Sequence, residues 1–64
     1  MAGGVVVGIL RELHKDHLVL DNGTKIFLTS KLTGSGLSPG TSLTVAYTAK
    51  RDGKKVADNI WSGR

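Results

Sequence analysis

The fold is decided by the segment Ser42–Trp61, SLTVAYTAKRDGKKVADNIW. Apolar and polar residues alternate from 42 to 50, which is typical of a strand with one buried face and one solvent-exposed face. Arg51-Asp52-Gly53-Lys54 then predicts a tight turn, because glycine readily adopts the positive φ that such turns need. Lys55–Trp61 follows as the returning strand. The sequence therefore predicts a β-hairpin that closes the chain.

The N-terminal region predicts a curved first strand. Residues 1–4 are expected to be a flexible lead, and Val5–Leu13 follows as a strand that begins with β-branched residues. Gly8 inside it predicts a bend or a close approach of another backbone, and strong curvature suits a small closed barrel. A helix over Ile9–Leu18 is the competing interpretation, but no N-terminal cap precedes it.

Two more strands and one long connection complete the pattern. Leu18–Leu20 and Lys25–Ser30 are predicted to pair around Asn22-Gly23, which is a strong hairpin signal. Residues 31–40 hold three glycines and the one proline of the chain, so we expect a loop with room for one helical turn. Five short strands predict an all-β, five-stranded OB-like Greek-key barrel, and an SH3-like barrel fits the same strand count.

Length and composition indicate one small domain, residues 1–64, without disulfides. Cysteine is absent, and the apolar run Val5–Leu10 is too short to cross a bilayer. We therefore expect a soluble cytoplasmic protein without a membrane role. Nine Lys and Arg against five Asp and Glu give a net charge of +4, which favours phosphate backbones or acidic surfaces as partners.

The second half of the chain resembles a cold-shock domain. Phe27–Gly36, Leu37–Val45 and Asp52–Ile60 follow that family's order: a strand ending in Ser, a glycine-bearing loop, a Leu…Gly turn and a closing Ala…Asn-Ile strand. The resemblance implies an OB fold and binding of single-stranded nucleic acid. Cold-shock domains use several aromatic residues on strands two and three, whereas this chain has only Phe27 there. The family's base-stacking residues therefore do not carry over.

A looser likeness covers the first half. Gly4-Val5-Val6, Leu20–Gly23 and Pro39-Gly40 resemble S1-type and initiation-factor-type OB domains. The chain is also similar to small uncharacterised bacterial OB-like domains, which implies no function. Fold alone does not establish function, so candidate sites are weighed from their own residues.

The outward face of strands two and three is the first candidate site. It would present His17, Val19, Lys25, Phe27 and Thr29, and OB-folds bind oligonucleotides on this face. An aromatic ring beside cations allows base stacking with phosphate contact. The alternative is that Phe27 and Val19 pack against the first strand or a second subunit.

The second candidate site is the cationic turn between strands four and five. Lys50, Arg51, Lys54 and Lys55 could follow a phosphate backbone, and Lys31 could extend the patch. A solvated hairpin tip is the alternative, since exposed turns are ordinarily charged. Trp61 is interpreted either as a stacking or docking anchor or, preferentially, as a lid over the open end of the barrel.

Catalytic and metal sites are not predicted. His14 and His17 have a spacing seen in metal sites, but the chain lacks cysteine and a carboxylate cluster, so a pair of turn histidines is expected instead. Gly34-Ser35-Gly36 is not followed by the Lys-Ser/Thr and helix of a phosphate loop. We expect no enzyme activity and no cofactor.

The sequence thus predicts a protein that binds single-stranded DNA or RNA, with a protein-interaction or self-assembly module, and hence a homo-oligomer, as the alternative. The predicted nucleic-acid-binding residues are His17, Lys25, Phe27, Lys31, Lys50, Arg51, Lys54, Lys55 and Trp61.

Overall fold

Five β-strands make up the fold in the computed structural model, which describes residues 2–34 and 36–63. The strands are β1 (Ala2–Leu13), β2 (His17–Leu20), β3 (Lys25–Phe27), β4 (Ser42–Ala49) and β5 (Lys55–Ser62). The described residues include no helix that is long and apolar enough to cross a membrane.

The strands close into a barrel in the order β1-β2-β3-β5-β4, with β4 paired to β1. All neighbours are antiparallel except β3 and β5, which are parallel and pair Phe27 with Val56. The spatial order β4-β1-β2-β3 is that of a Greek key. A closed five-stranded barrel with this order confirms the predicted all-β, OB-like Greek-key architecture.

The beginning of β1 and the end of β3 differ from the prediction. β1 begins at Ala2, which pairs with Ala49, so residues 2–4 lie in the strand and not in a lead; Met1 lies outside the described residues. β3 ends at Phe27, short of the predicted Ser30; the Leu28 amide still donates to the Asp16 carbonyl at 2.8 Å, but Thr29 exchanges backbone hydrogen bonds with Leu32 in a local turn.

The connection between β3 and β4 spans residues 28–41. Its described residues are irregular backbone with short turns and bends and no helical turn, and Ser35 of the predicted Gly34–Gly36 loop lies outside them. The competing helix over Ile9–Leu18 is wrong, because β1 continues to Leu13 and β2 starts at His17.

Seven buried residues form the core, and they come from every strand. In β2 and β4 they alternate with outward residues, as strand geometry requires. No polar or charged side chain within residues 2–34 and 36–63 is buried with them, so the core is held by apolar packing alone. The seven are Leu10, Leu18, Leu20, Ile26, Leu43, Val45 and Ala57.

Two glycines on the inward side of β1 make room for neighbouring groups. A Cβ at Gly8 would lie 3.1 Å from Asp21 Oδ1 and 3.3 Å from the Leu20 Cβ, so side-chain atoms come close there and not the backbone that was predicted. A Cβ at Gly4 would lie 2.6 Å from the Tyr47 hydroxyl oxygen, so only glycine leaves space for that ring. β1 also carries a bulge between Leu10 and Glu12, which bends the strand around the barrel.

Two hairpin loops share one construction. In the β2–β3 loop the Asn22 side-chain oxygen accepts from the Thr24 amide, and in the β4–β5 loop Asp52 accepts from Lys54, both at 2.9 Å. Gly23 and Gly53 follow these residues with φ of 88° and 87°. Each loop is thus a three-residue turn that ends on a left-handed glycine, as the Asn-Gly and Asp-Gly signals predicted.

Candidate nucleic-acid interface

Phe27 is the centre of the candidate site. Because Ile26 is buried in the core, its strand neighbours Lys25 and Phe27 face outward. The ammonium of Lys25 lies 5.0 Å from the centre of the Phe27 ring, and that of Lys54 lies 4.7 Å from it. Both distances are within the range of cation–π attraction, so the half-buried ring holds two cations beside it.

The position of Lys54 follows from the barrel closure. Phe27 pairs with Val56 in the parallel β3–β5 contact, which brings the start of β5 next to β3. Lys54 is the residue between the Gly53 turn and that strand. The turn and the strand pairing together therefore place its side chain against a ring from a different hairpin.

An aromatic row extends from Phe27 toward the β1–β2 turn. His17 pairs directly with Phe27 across the β2–β3 ladder, and their ring centres are 5.8 Å apart. His14 stacks on His17 with 4.4 Å between ring centres and 18° between planes. Three rings thus form a row that can extend base stacking beyond a single aromatic. We call His14, His17, Lys25, Phe27 and Lys54 the Phe27 cluster.

Carboxylates hold both histidines in place. Glu12 Oε1 lies 2.8 Å from His14 Nε2, and Asp16 Oδ1 lies 2.7 Å from His17 Nδ1. The hydrogen bond with His14 lowers the pKa of the Glu12 carboxyl, and the hydrogen bond with His17 does the same to the pKa of Asp16. These two anions lie at the histidine end of the row, so the cationic end is the one suited to phosphate.

An open pocket of about 290 Å³ lies at the cationic end. Its lining carries three lysines against one aspartate, so its charge would favour an anion over a cation. Its size suits a small group, such as one nucleotide unit. The lining residues are Lys25, Phe27, Asp52, Gly53, Lys54 and Lys55.

The other predicted residues lie around or away from this pocket. Lys50 and Arg51 are exposed in the same β4–β5 turn, next to Lys54. Lys31 is exposed in the connection after β3. Val19 and Phe27 are both half-buried, and the self-assembly alternative, which assumed that both are exposed, stays a prediction.

Trp61 does not join the Phe27 cluster. It lies five residues beyond Val56 on β5, a separation of about 16 Å at strand spacing. Its side chain is 52 % exposed and projects outward, whereas its neighbour Ile60 packs against the core. The lid interpretation of Trp61 is therefore wrong: strand parity turns the ring away from the barrel interior.

His14 is the site residue that sequence reasoning missed. The sequence predicts only a pair of turn histidines at this position, whereas the β1–β2 turn brings His14 onto His17 through a hydrogen bond from its amide to the His17 carbonyl. The sequence signal was the spacing, because His14 lies three residues before His17, which faces outward from β2. Within residues 2–34 and 36–63, no three His, Asp or Glu side chains are grouped so that they could hold a metal ion.

The site coincides with the part of an OB barrel that binds oligonucleotides. The β2–β3 face supplies His17, Lys25 and Phe27, the β1–β2 turn supplies His14, and the β4–β5 turn supplies Lys54. Comparison with known proteins finds no matching family model, no similar curated protein and no similar solved structure. The cold-shock resemblance therefore stays a prediction, and the functional argument depends on the side chains themselves.

Proposed function

We propose that this protein binds single-stranded nucleic acid, without catalysis, through the Phe27 cluster and the lysines of the β4–β5 turn. The observation that carries the proposal is the convergence of Lys25, Lys54 and His17 on one outward aromatic ring. Stacking needs unpaired bases, which favours single strands over duplexes.

We assign the proposed phosphate contacts and base-stacking contacts to different ends of the row, according to the charge at each end. Phosphate groups would lie in the pocket between Lys25, Lys54 and Lys55, where cations outnumber anions. Bases would stack on Phe27 and toward the histidines, whose carboxylate partners disfavour phosphate. The aromatic row gives no base-edge hydrogen bonds, so the binding is expected to tolerate different base sequences.

The affinity and its salt dependence can be estimated from the number of stacked bases and lysine–phosphate contacts. One or two stacked bases contribute about 1–3 kcal/mol each. Three lysine–phosphate contacts give a slope of about −2 for log K against log salt, since a single strand releases about 0.7 counterion per contact. We expect affinity between about millimolar and micromolar at low salt, and a loss of about sixteenfold between 50 and 200 mM salt for a slope of about −2.

Fluorescence anisotropy with labelled single-stranded DNA and RNA oligonucleotides, in a salt series, tests the proposal. The expected result is saturable binding of at least one of the two, with the slope given above, and weaker binding of a duplex of the same sequence. No saturable binding of either strand at low salt would reject the proposal. So would equal affinity for the duplex, because it would leave no role for stacking on Phe27.

A further inference from the structure

Three lysines line the pocket beside Phe27, and each holds its ammonium over an aromatic ring. The ammonium groups of Lys25 and Lys54 lie 5.0 Å and 4.7 Å from the centre of the Phe27 ring. That of Lys55 lies 5.8 Å from the centre of the Tyr47 ring. Within residues 2–34 and 36–63, no carboxylate oxygen lies within 4.0 Å of any of these three ammonium groups. Because cation–π contacts at exposed sites are weak, an anion can take over all three cations.

The anions near the pocket are fewer than the cations and are already engaged. Of the described residues that line it, only Asp52 is acidic, and its Oδ1 accepts the Lys54 amide at 2.9 Å. The pKa of Asp16 is lowered by its hydrogen bond with His17 and, to a smaller extent, by the charge of Lys25. Two further cations lie exposed in the same turn but outside the lining, Lys50 and Arg51. The pocket therefore has a surplus of positive charge.

The pocket has room for one phosphate. Its volume of about 290 Å³ suits one nucleotide unit, and successive phosphates of a strand are one nucleotide apart. An internal phosphodiester carries a single negative charge and two free oxygens. A terminal phosphomonoester carries a charge of about −1.5 to −2 at pH 7 and offers three acceptor oxygens. Three lysines around one phosphate therefore match a terminal phosphate better than an internal one, in charge and in number of acceptors.

We infer that the pocket binds the terminal phosphate of a single strand, with the adjoining base on Phe27 and the next bases toward His17. The Asp52 carboxylate in the lining favours an end over a continuous strand. An internal phosphate has a further phosphate on each side, whereas a terminal phosphate has one neighbour only. This inference rests on the proposed function and makes it more specific, because the ligand becomes a single strand with a phosphorylated 5′ or 3′ end.

Competition binding with unlabelled oligonucleotides tests the inference, because no label then occupies an end. Three strands of one sequence compete with the same labelled strand: one has hydroxyls at both ends, one a 5′-phosphate and one a 3′-phosphate. The two phosphorylated strands have the same net charge, so they separate recognition of an end from general attraction. A protein surface binds a strand in one direction. We therefore expect one of the two phosphates to raise the affinity about fivefold, the upper range for an exposed ion pair, and the other less than about twofold.

Each outcome bears on the inference and on the proposed function differently. Equal gains at both ends would be an effect of charge alone and would overturn the inference. If all three strands bind with equal affinity, binding of single strands stands and only the terminal-phosphate inference fails. If none of them binds at low salt, the proposed function fails as well.

A free mononucleotide distinguishes a strand end from a small ligand. It carries the same phosphomonoester but lacks the further bases that would stack toward the histidines, so it should compete about fivefold less well, or worse. Competition as strong as that of the phosphorylated strand would make the ligand a free nucleotide and would overturn the inference.

The charge of the phosphate gives a second readout. The gain from the terminal phosphate should increase between about pH 5 and pH 7.5, because the second ionisation of a phosphomonoester has a pKa of about 6. Protonation of the protein acts on all three strands and largely cancels in the ratio of affinities. A gain that does not change with pH would contradict recognition of the second charge and overturn the inference.

Lys55→Gln locates the phosphate, because it removes one of the three ammonium groups and leaves the Phe27 cluster intact. The gain from the terminal phosphate should fall to about twofold or less, as one exposed ion pair is lost. The gain is a ratio measured on one variant, so a general loss of affinity does not imitate this result. Lys31→Gln removes an exposed cation of the β3–β4 connection and should keep the full gain. Equal gains in the two variants would overturn the inference.

Discussion

The ammonium of Lys54 lies 4.7 Å from the centre of the Phe27 ring, although the two residues belong to different hairpins. The parallel pairing of Phe27 with Val56 produces this contact, because it fixes the beginning of β5 beside the end of β3. The ring that we propose to stack on bases and a cation that we propose to bind phosphate thereby meet in one place. The contributions of the ring and the cation can be measured separately. Loss of the ring should lower the affinity, and loss of the cation should change the salt dependence of binding.

Phe27→Leu should weaken oligonucleotide binding about tenfold or more, because leucine keeps apolar volume but loses the stacking surface. The salt slope should stay unchanged, since no phosphate contact is removed. Fluorescence anisotropy at several salt concentrations measures both quantities. Trp61→Leu is the matched aromatic control and should bind a short oligonucleotide like the unmodified chain. Equal weakening by both variants would contradict the placement of the site on β2 and β3.

Lys54→Gln should make the slope of log K against log salt shallower by about 0.7, the value for one phosphate contact on a single strand. Its side chain stays long and polar, so the fold should not change. Lys31→Gln removes a cation in the β3–β4 connection, outside the Phe27 cluster, and should leave the slope as it is. The assignment fails if the two substitutions change the slope by the same amount.

Gly4→Ala should destabilise the barrel by about 1–3 kcal/mol, the usual cost of overpacking. The added Cβ would lie 2.6 Å from the Tyr47 hydroxyl oxygen and 2.8 Å from the ring carbon that bears it. Gly3→Ala is the matched control, because its Cβ would point outward and lie no closer than 3.5 Å to another group. Urea denaturation should show Gly3→Ala to be neutral or stabilising, since alanine restricts the unfolded chain; equal losses would contradict the packing of Tyr47 on Gly4.

Gly53→Ala should destabilise the β4–β5 hairpin by about 1–2 kcal/mol, because an alanine at φ of 87° brings its Cβ against the backbone. Gly53→Asn should cost less, since asparagine tolerates the left-handed region. Thermal unfolding monitored by circular dichroism compares the two. A smaller loss for alanine than for asparagine would show that backbone conformation does not limit this turn.

Stability should fall in acid partly through Glu12 and Asp16. Hydrogen bonds with His14 and His17 lower the pKa of these carboxyls in the folded chain, so their stabilising contribution is full above the unfolded carboxyl pKa. It is lost as pH falls through the lowered pKa values of the folded state. Because both groups are exposed, the effect should be small. The double variant Glu12→Gln and Asp16→Asn should make the fall in melting temperature between pH 5 and pH 2 slightly shallower, since this is about the range where such carboxyls titrate; a fall as steep as that of the unmodified chain would contradict the coupling.

The local features of this chain were predictable because their causes are local. Alternation from 42 to 50 predicted β4, and the Asn-Gly and Asp-Gly pairs predicted both hairpin loops, since each depends on residues within a few positions. The end of β3 was not predictable from alternation, because Thr29 exchanges backbone hydrogen bonds with Leu32 in the following turn and not with a neighbouring strand.

The candidate site was predictable in part. Lys25 and Phe27 follow from the burial of Ile26, and the cationic turn follows from its composition. The order of strands in the barrel decides that Lys54 lies against Phe27 and that Trp61 does not. Strand pairing between distant segments leaves no short-range signal, so the sequence pattern could not separate these two residues.

The sequence by itself determined the strand periodicity, the two glycine turns and the net positive charge, because these depend on residue type and spacing. Only the tertiary structure decided which side of β1 is exposed, since Val5, Val6 and Val7 are apolar on both parities and periodicity cannot tell inside from outside. It also decided that Lys54 meets Phe27 beside the β3–β5 contact, while Trp61 pairs with Thr44 near the other end of β5. The closing hairpin was predictable from the sequence as a pair of strands. Which residues lie beside each of its two ends depends on how the barrel closes.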